Sequence, residues 1–139
     1  MQRQRGFTLV EALIALALLA FGLMGVAAMQ LTSLQSASTG YQYSAASLAA
    51  VDIQESAWGR LATTQNCRRI DLASLRNAWR AQWFEGLNAP LEGSTGDVER
   101  TVVDGSCHFT VSIVVNAWPS QEAQEPLDYV FTLPLSEGA

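Results

Sequence analysis

Apolar residues run almost without interruption from Phe7 to Met29, broken by a single carboxylate at Glu11, and no formal charge occurs between Ala12 and Met29. At about 1.5 Å of rise per residue this segment predicts a helix long enough to cross a hydrocarbon core of about 30 Å. From Leu31 the apolar positions become periodic. Leu31, Leu34, Tyr41 and Leu48 recur at helical spacing with Ala37 and Ala45 between them, while Gln35, Thr39, Gln42 and Ser44 are polar. The helix therefore turns amphipathic. No proline precedes Pro90, so the helix is predicted to continue to about Leu61, some 55 residues or about 80 Å. Propensity alone does not stabilise so long a helix, so its second half must pack on the C-terminal part of the chain.

Thr63-Thr64-Gln65-Asn66 reads as a stop. Asp71 reads as the N-cap of a second helix, whose apolar face is Leu72, Leu75, Trp79 and Trp83 and whose end falls near Glu85-Gly86. Pro90, Gly93 and Gly96 mark Leu87 to Asp97 as a loop. The period then changes to two. Asp97 to Val103 is a predicted strand, Asp104-Gly105 a hairpin turn, and Cys107, Phe109, Val111, Ile113 and Val115 the inward set of a second strand. Val114 breaks the alternation, which predicts a partly covered second face. A polar loop from Pro119 to Pro126 leads to a third strand at Tyr129 to Leu133. The economical architecture is α+β: a long N-terminal helix laid on an antiparallel three-stranded meander, with one short extra helix.

Arg3 and Arg5 precede the apolar run, so the positive-inside rule keeps the start of the chain cytoplasmic and exports the rest. A carboxylate within the membrane costs about 3 kcal/mol and marks a site that needs a cationic partner. A secretory signal peptide has a similar basic head and apolar middle, with the small residues Ala27 and Ala28 as its cleavage region. Here, however, the apolar run continues into helical sequence without a helix-breaking boundary.

The segment Gly6-Phe7-Thr8-Leu9-Val10-Glu11, followed by the apolar helix, resembles the border of the type IV prepilins over about the first thirty residues. That resemblance implies cleavage between Gly6 and Phe7 by a membrane prepilin peptidase, N-methylation of Phe7, and a salt bridge in assembly between Glu11 and a terminal ammonium. It also implies three parts: a leader at 1–6, a transmembrane assembly helix at 7–29 and a periplasmic pilin domain at 30–139. The run Phe21 to Gln30, with Gly22 and Gly25, looks like the PilV subgroup of minor pilins, although minor pseudopilins of type II secretion share much of it. The two glycines read either as a weak point in the helix, at about 1 kcal/mol each against Ala, or as a close helix-packing face.

From Phe7 onward six arginines and no lysine stand against thirteen carboxylates, a formal charge of −7. Such a surface does not suit general nucleic-acid binding. Cys67 and Cys107 both lie beyond the membrane segment. In an oxidising periplasm they most simply form one disulfide closing a loop of about 40 residues, the alternative being two buried free thiols. His108, the single histidine, neighbours Cys107 on a strand and so points to the opposite face, which reads as a surface histidine and not a zinc ligand. No Walker loop, dinucleotide turn or His-Glu-x-x-His motif is present, and neither an active site nor a cofactor is expected.

One local charge anomaly remains: Arg60, Arg68, Arg69, Arg76 and Arg80 are opposed between residues 60 and 80 only by Asp71. Arg76 and Arg80 lie one turn apart and share a face with Arg69 if the helix starts early. The readings are a solvated helix face, a subunit contact with acidic loops (Glu122, Glu125 and Asp128 of a neighbour), or DNA binding at a tip. Among the tryptophans, Trp79 and Trp83 read as core. Trp58 completes the set with Trp118, beside Pro119, which reads first as core and, of the four, is the better interface candidate.

The resemblance implies a minor pilin that joins other minor pilins and the major pilin in a complex priming pilus assembly near the tip, with a tip adhesin as a further partner. It implies residence as a single-pass protein of the bacterial inner membrane and then in the pilus. A minor pseudopilin of type II secretion is the runner-up. A periplasmic enzyme on an uncleaved anchor is the reading of another class.

Overall fold

The computed structural model describes residues 7–116 and 125–135. Helix α1 spans Leu9–Thr64, a 3-10 turn Cys67–Arg69, helix α2 Leu72–Trp83, and strands β1, β2 and β3 span Thr95–Val103, Ser106–Val114 and Leu127–Pro134. The strands form one antiparallel sheet in the order β1-β2-β3. This is the expected α+β arrangement, of pilin-like kind. Two compact units divide the chain, residues 1–37 and 38–139, and α1 contributes to both.

The described part of the first unit is helix with its side chains outward. The helix is unbroken at Gly22 and Gly25, and a Cβ on either would meet nothing within 4 Å. Polar residues fit because their hydroxyls fold back onto the helix: Thr32 Oγ1 donates to the Ala28 carbonyl at 3.1 Å and Ser36 Oγ to the Thr32 carbonyl at 3.0 Å.

In the second unit α1 buries a narrow face of Ala45, Ala46, Ala49, Ala50, Ile53, Ala57 and Leu61. Five of those seven are alanine, which leaves the α1 backbone within reach of the Trp79 indole at the Ala49 carbonyl. The other side of the core is the inner face of the sheet: Val98 of β1, then Cys107, Phe109, Val111 and Ile113 of β2, then Phe131 and Leu133 of β3. Phe109 and Phe131 are directly paired across the strands and stack with centroids 4.9 Å apart. The predicted inward set of β2 is buried throughout. Its other face is partly covered, as the break in alternation predicts, at Ser106, His108 and Ser112, while Thr110 and Val114 (41%) are exposed. Val114 ends the strand, where an apolar residue need not be covered by the core.

Helix α1 stops where Thr63 Oγ1 and Thr64 Oγ1 both donate to the Arg60 carbonyl at 2.9 Å and Gln65 enters the left-handed region at φ 57°. Asn66 Oδ1 then accepts from the Arg68 amide at 2.8 Å, capping the short 3-10 turn. Asp71 caps α2 by accepting from the Ser74 amide at 3.1 Å, as its position before the apolar face predicts. The helix ends at Trp83, near the expected Glu85-Gly86, with the Phe84 and Glu85 amides both donating to the Arg80 carbonyl at 2.9 Å and the Phe84 ring against Trp79. Strand β1 starts two residues earlier than predicted, since Thr95 and Gly96 already pair with Val114 and Ile113. The hairpin from β1 to β2 turns on Asp104 (φ 46°) and Gly105 (φ 77°), both left-handed, as a two-residue type I′ loop requires.

Candidate processing and assembly site

The start of the described chain is built by a helix cap. Thr8 precedes α1; its carbonyl accepts from the Ala12 amide at 3.2 Å and its Oγ1 from the Glu11 amide at 3.4 Å. Thr8-x-x-Glu11 is the spacing of a capping box, a local signal by which the sequence marks this helix start. Glu11 consequently sits in the first turn, where unpaired amides favour a negative charge. Among the described residues no cation lies within ion-pair distance of it. Phe7 is 76% exposed just before this turn. Gly6, the other half of the expected cleavage border, lies outside the described residues, as do Arg3 and Arg5.

Beyond the cap, α1 is long and apolar enough to cross a membrane, and its most apolar window, of mean hydropathy 2.5, is 0% buried. A soluble protein does not leave a surface of this kind in water. Lipid, or the apolar helices of other subunits, has to cover it.

The second unit carries structural chemistry. Cys67 and Cys107 form a disulfide with Cα atoms 6.1 Å apart, tying the 3-10 turn to β2. The arginine cluster resolves into separate roles. Arg76 and Arg80 both reach Asp97 Oδ1, at 3.0 and 3.1 Å, so of the three readings the free solvated face does not describe these two. Burial pushes the Asp97 carboxyl upward. The hydrogen bond from Arg76, the Val98 amide and the charges of Arg80 and Arg76 outweigh it and hold the group below its ordinary range. Arg80 Nε also donates to the Gly96 carbonyl at 2.7 Å. Arg60 donates to Ser74 Oγ at 3.1 Å, and Arg100 to the carbonyls of Cys67 and Ile70 at 2.9 and 2.8 Å. Arg69 does not share the face of Arg76 and Arg80, because α2 begins only at Leu72; it is exposed beside Arg68.

Trp79 and Trp83 fasten α2 to α1, the first donating from Nε1 to the Ala49 carbonyl at 2.8 Å, the second to Asp52 Oδ2 at 2.9 Å. The role of Asp97 is not legible in its neighbours along the chain, because its partners lie about twenty residues away across a loop. Asp52 has a faint signal as the first charge after Glu11. His108 lies opposite Cys107, with Nε2 3.1 Å from Ser106 Oγ, as a surface strand histidine should be. The candidates Trp118 and Glu122 lie outside the described residues; Asp128 accepts from Ser112 Oγ at 2.7 Å on the outer face of the sheet. Among the described residues no group of three or more His, Cys, Asp or Glu is placed to hold a metal ion.

Residues 1–27 match the family described as the prokaryotic N-terminal methylation motif. No curated protein and no solved structure matches the chain. The motif is of prepilin type and supports a place for the chain among the pilins and pseudopilins, as does the pilin-like fold.

Proposed function

We propose that the chain is the precursor of a minor pilin of the PilV type, with a leader at residues 1–6, an assembly helix at 7–29 and an exported domain at 30–139. Prepilin peptidase cleaves between Gly6 and Phe7 and methylates Phe7. The subunit then leaves the inner membrane for the pilus, where it joins other minor pilins and the major pilin in the complex that primes assembly near the tip. The observation that carries this reading is the methylation motif on a helix whose most apolar stretch is uncovered. Glu11, set in the first turn without a cation among the described residues, pairs with a terminal ammonium when subunits assemble. The role is structural, not enzymatic.

Intact-mass measurement of the mature protein tests it. Loss of residues 1 to 6 with one added methyl on Phe7 is expected, and Gly6→Val leaves the precursor in the inner membrane. A mature N-terminus near Ala28 overturns the reading in favour of a signal peptide, and co-purification with secretion components instead of pilus subunits moves the protein to a pseudopilus.

A further inference from the structure

Within the second unit, the face of α1 turned away from the core is not polar. Tyr41 is 64% exposed, Leu48 62%, Val51 46% and Trp58 41%. With Ser44 and Glu55 they occupy positions 41, 44, 48, 51, 55 and 58, alternating steps of three and four that form the a and d seam of a coiled coil over about 25 Å. The core-facing alanines lie on the other side, so the domain's own core leaves these four large side chains uncovered in a single stripe. The seam is a convex ridge and not a cleft, which excludes a small-molecule site and fits a second helix.

Charge selects which helix. Glu55 occupies an a position and is exposed, and the one basic residue of α1 is Arg60, which is engaged with Ser74 and the Asp71 carbonyl. In a parallel, in-register pair of identical chains Glu55 would face Glu55, and like charges across a seam oppose association. An antiparallel self-pair avoids this, but two helices that both start from the same membrane run parallel. From the seam and its single carboxylate we infer that this face of α1 docks a parallel helix of a different pilin-like subunit, one that presents Lys or Arg opposite Glu55. The inference rests on the pilin reading for the shared orientation. It goes beyond that reading in naming the stripe, the hetero-specificity and the charge of the partner.

The test uses the full chain expressed in its own membrane with a photo-crosslinking phenylalanine at Leu48 or, as a control on the outer face of the sheet, at Thr110. Adducts at Leu48 but not Thr110 are expected. The captured protein should be a different chain with its own N-terminal methylation motif, and the linked peptide should carry Lys or Arg about one turn from the attachment point. Glu55→Lys should cut the Leu48 adduct about tenfold, and Glu55→Asp should restore most of it. A retained Cys67 to Cys107 pair in non-reducing peptide maps shows that each variant is folded. Capture of a second copy, of lipid, of a protein lacking the motif or of nothing overturns the inference, as does a Glu55→Lys variant that crosslinks normally. Intact mass on the same sample separates the two levels: processed protein without the adduct removes this inference alone, whereas unprocessed protein removes the pilin reading and the inference with it.

Discussion

Gly96→Ala is a small change that the packing of this domain should not accept. Gly96 lies on β1 opposite Ile113, and an ideal Cβ there would stand 2.6 Å from Trp79 Cη2 and 2.6 Å from Phe84 Cζ. Carbon atoms rest at about 3.5 to 4.0 Å, so both rings must retreat by about 1 Å. Neither is free to do so. Trp79 is held by its bond to the Ala49 carbonyl, the Phe84 amide donates to the Arg80 carbonyl at 2.9 Å, and the strand itself is held by Arg80 Nε on the Gly96 carbonyl. Overpacking of this kind costs about 1 to 3 kcal/mol, and the stiffer unfolded chain of an alanine variant returns about 0.4 to 1. The net loss is about 1 to 2 kcal/mol, or about 5 to 15 °C in Tm for a domain of this size. Thermal unfolding of the full chain in detergent, followed by the near-ultraviolet dichroism of its tryptophans, measures it. Gly59→Ala is the internal comparison, because a Cβ at that helical glycine meets nothing within 4 Å, and it should stabilise by about 1 kcal/mol. If Gly96→Ala melts at or above the parent while Gly59→Ala behaves as expected, the close approach of the two rings to β1 is wrong.

The Cys67 to Cys107 link closes a loop of sequence separation 40, so replacing both with Ser should cost about 4 kcal/mol in the chain-entropy description; equal denaturant midpoints for the reduced and oxidised protein would contradict it. Because the folded Asp97 carboxyl titrates below its unfolded value of about 3.9, its contribution is complete above that pH and disappears as pH falls through the lower folded value. Asp97→Asn should therefore lose stability at neutral pH, by no more than about 1 kcal/mol for so exposed a group, and the difference from the parent should vanish in acid; a difference that persists at pH 2 argues against the ion pair. Glu11→Gln keeps the shape of the first turn but not its charge, so it should be inserted and cleaved normally yet recover less of its partner pilins on co-purification; full recovery rules out the ion-pair role.

Local rules decided much of this protein. The apolar run, the Asp71 cap, the Asp104-Gly105 turn and the period-two spacing of β2 are each written in neighbouring residues, and each element formed where its own pattern placed it, within a few residues. The border at Phe7 to Glu11 is equally local, which is why the proposed processing site can be read without any fold. Other features depend on residues far apart in sequence meeting in space. That Arg76 and Arg80 share Asp97, that Trp79 and Trp83 find the Ala49 carbonyl and Asp52, and that Gly96 has no room for a methyl group all arise from how α2 docks between α1 and β1. A sequence states what each side chain can do, but partners separated by a loop or by a whole helix are chosen only when burial of the apolar faces brings those elements together. The exposed seam of α1 shows the same division. Its spacing is visible in the chain, but which face of the helix the core would leave bare was decided by the alanines that pack beneath it.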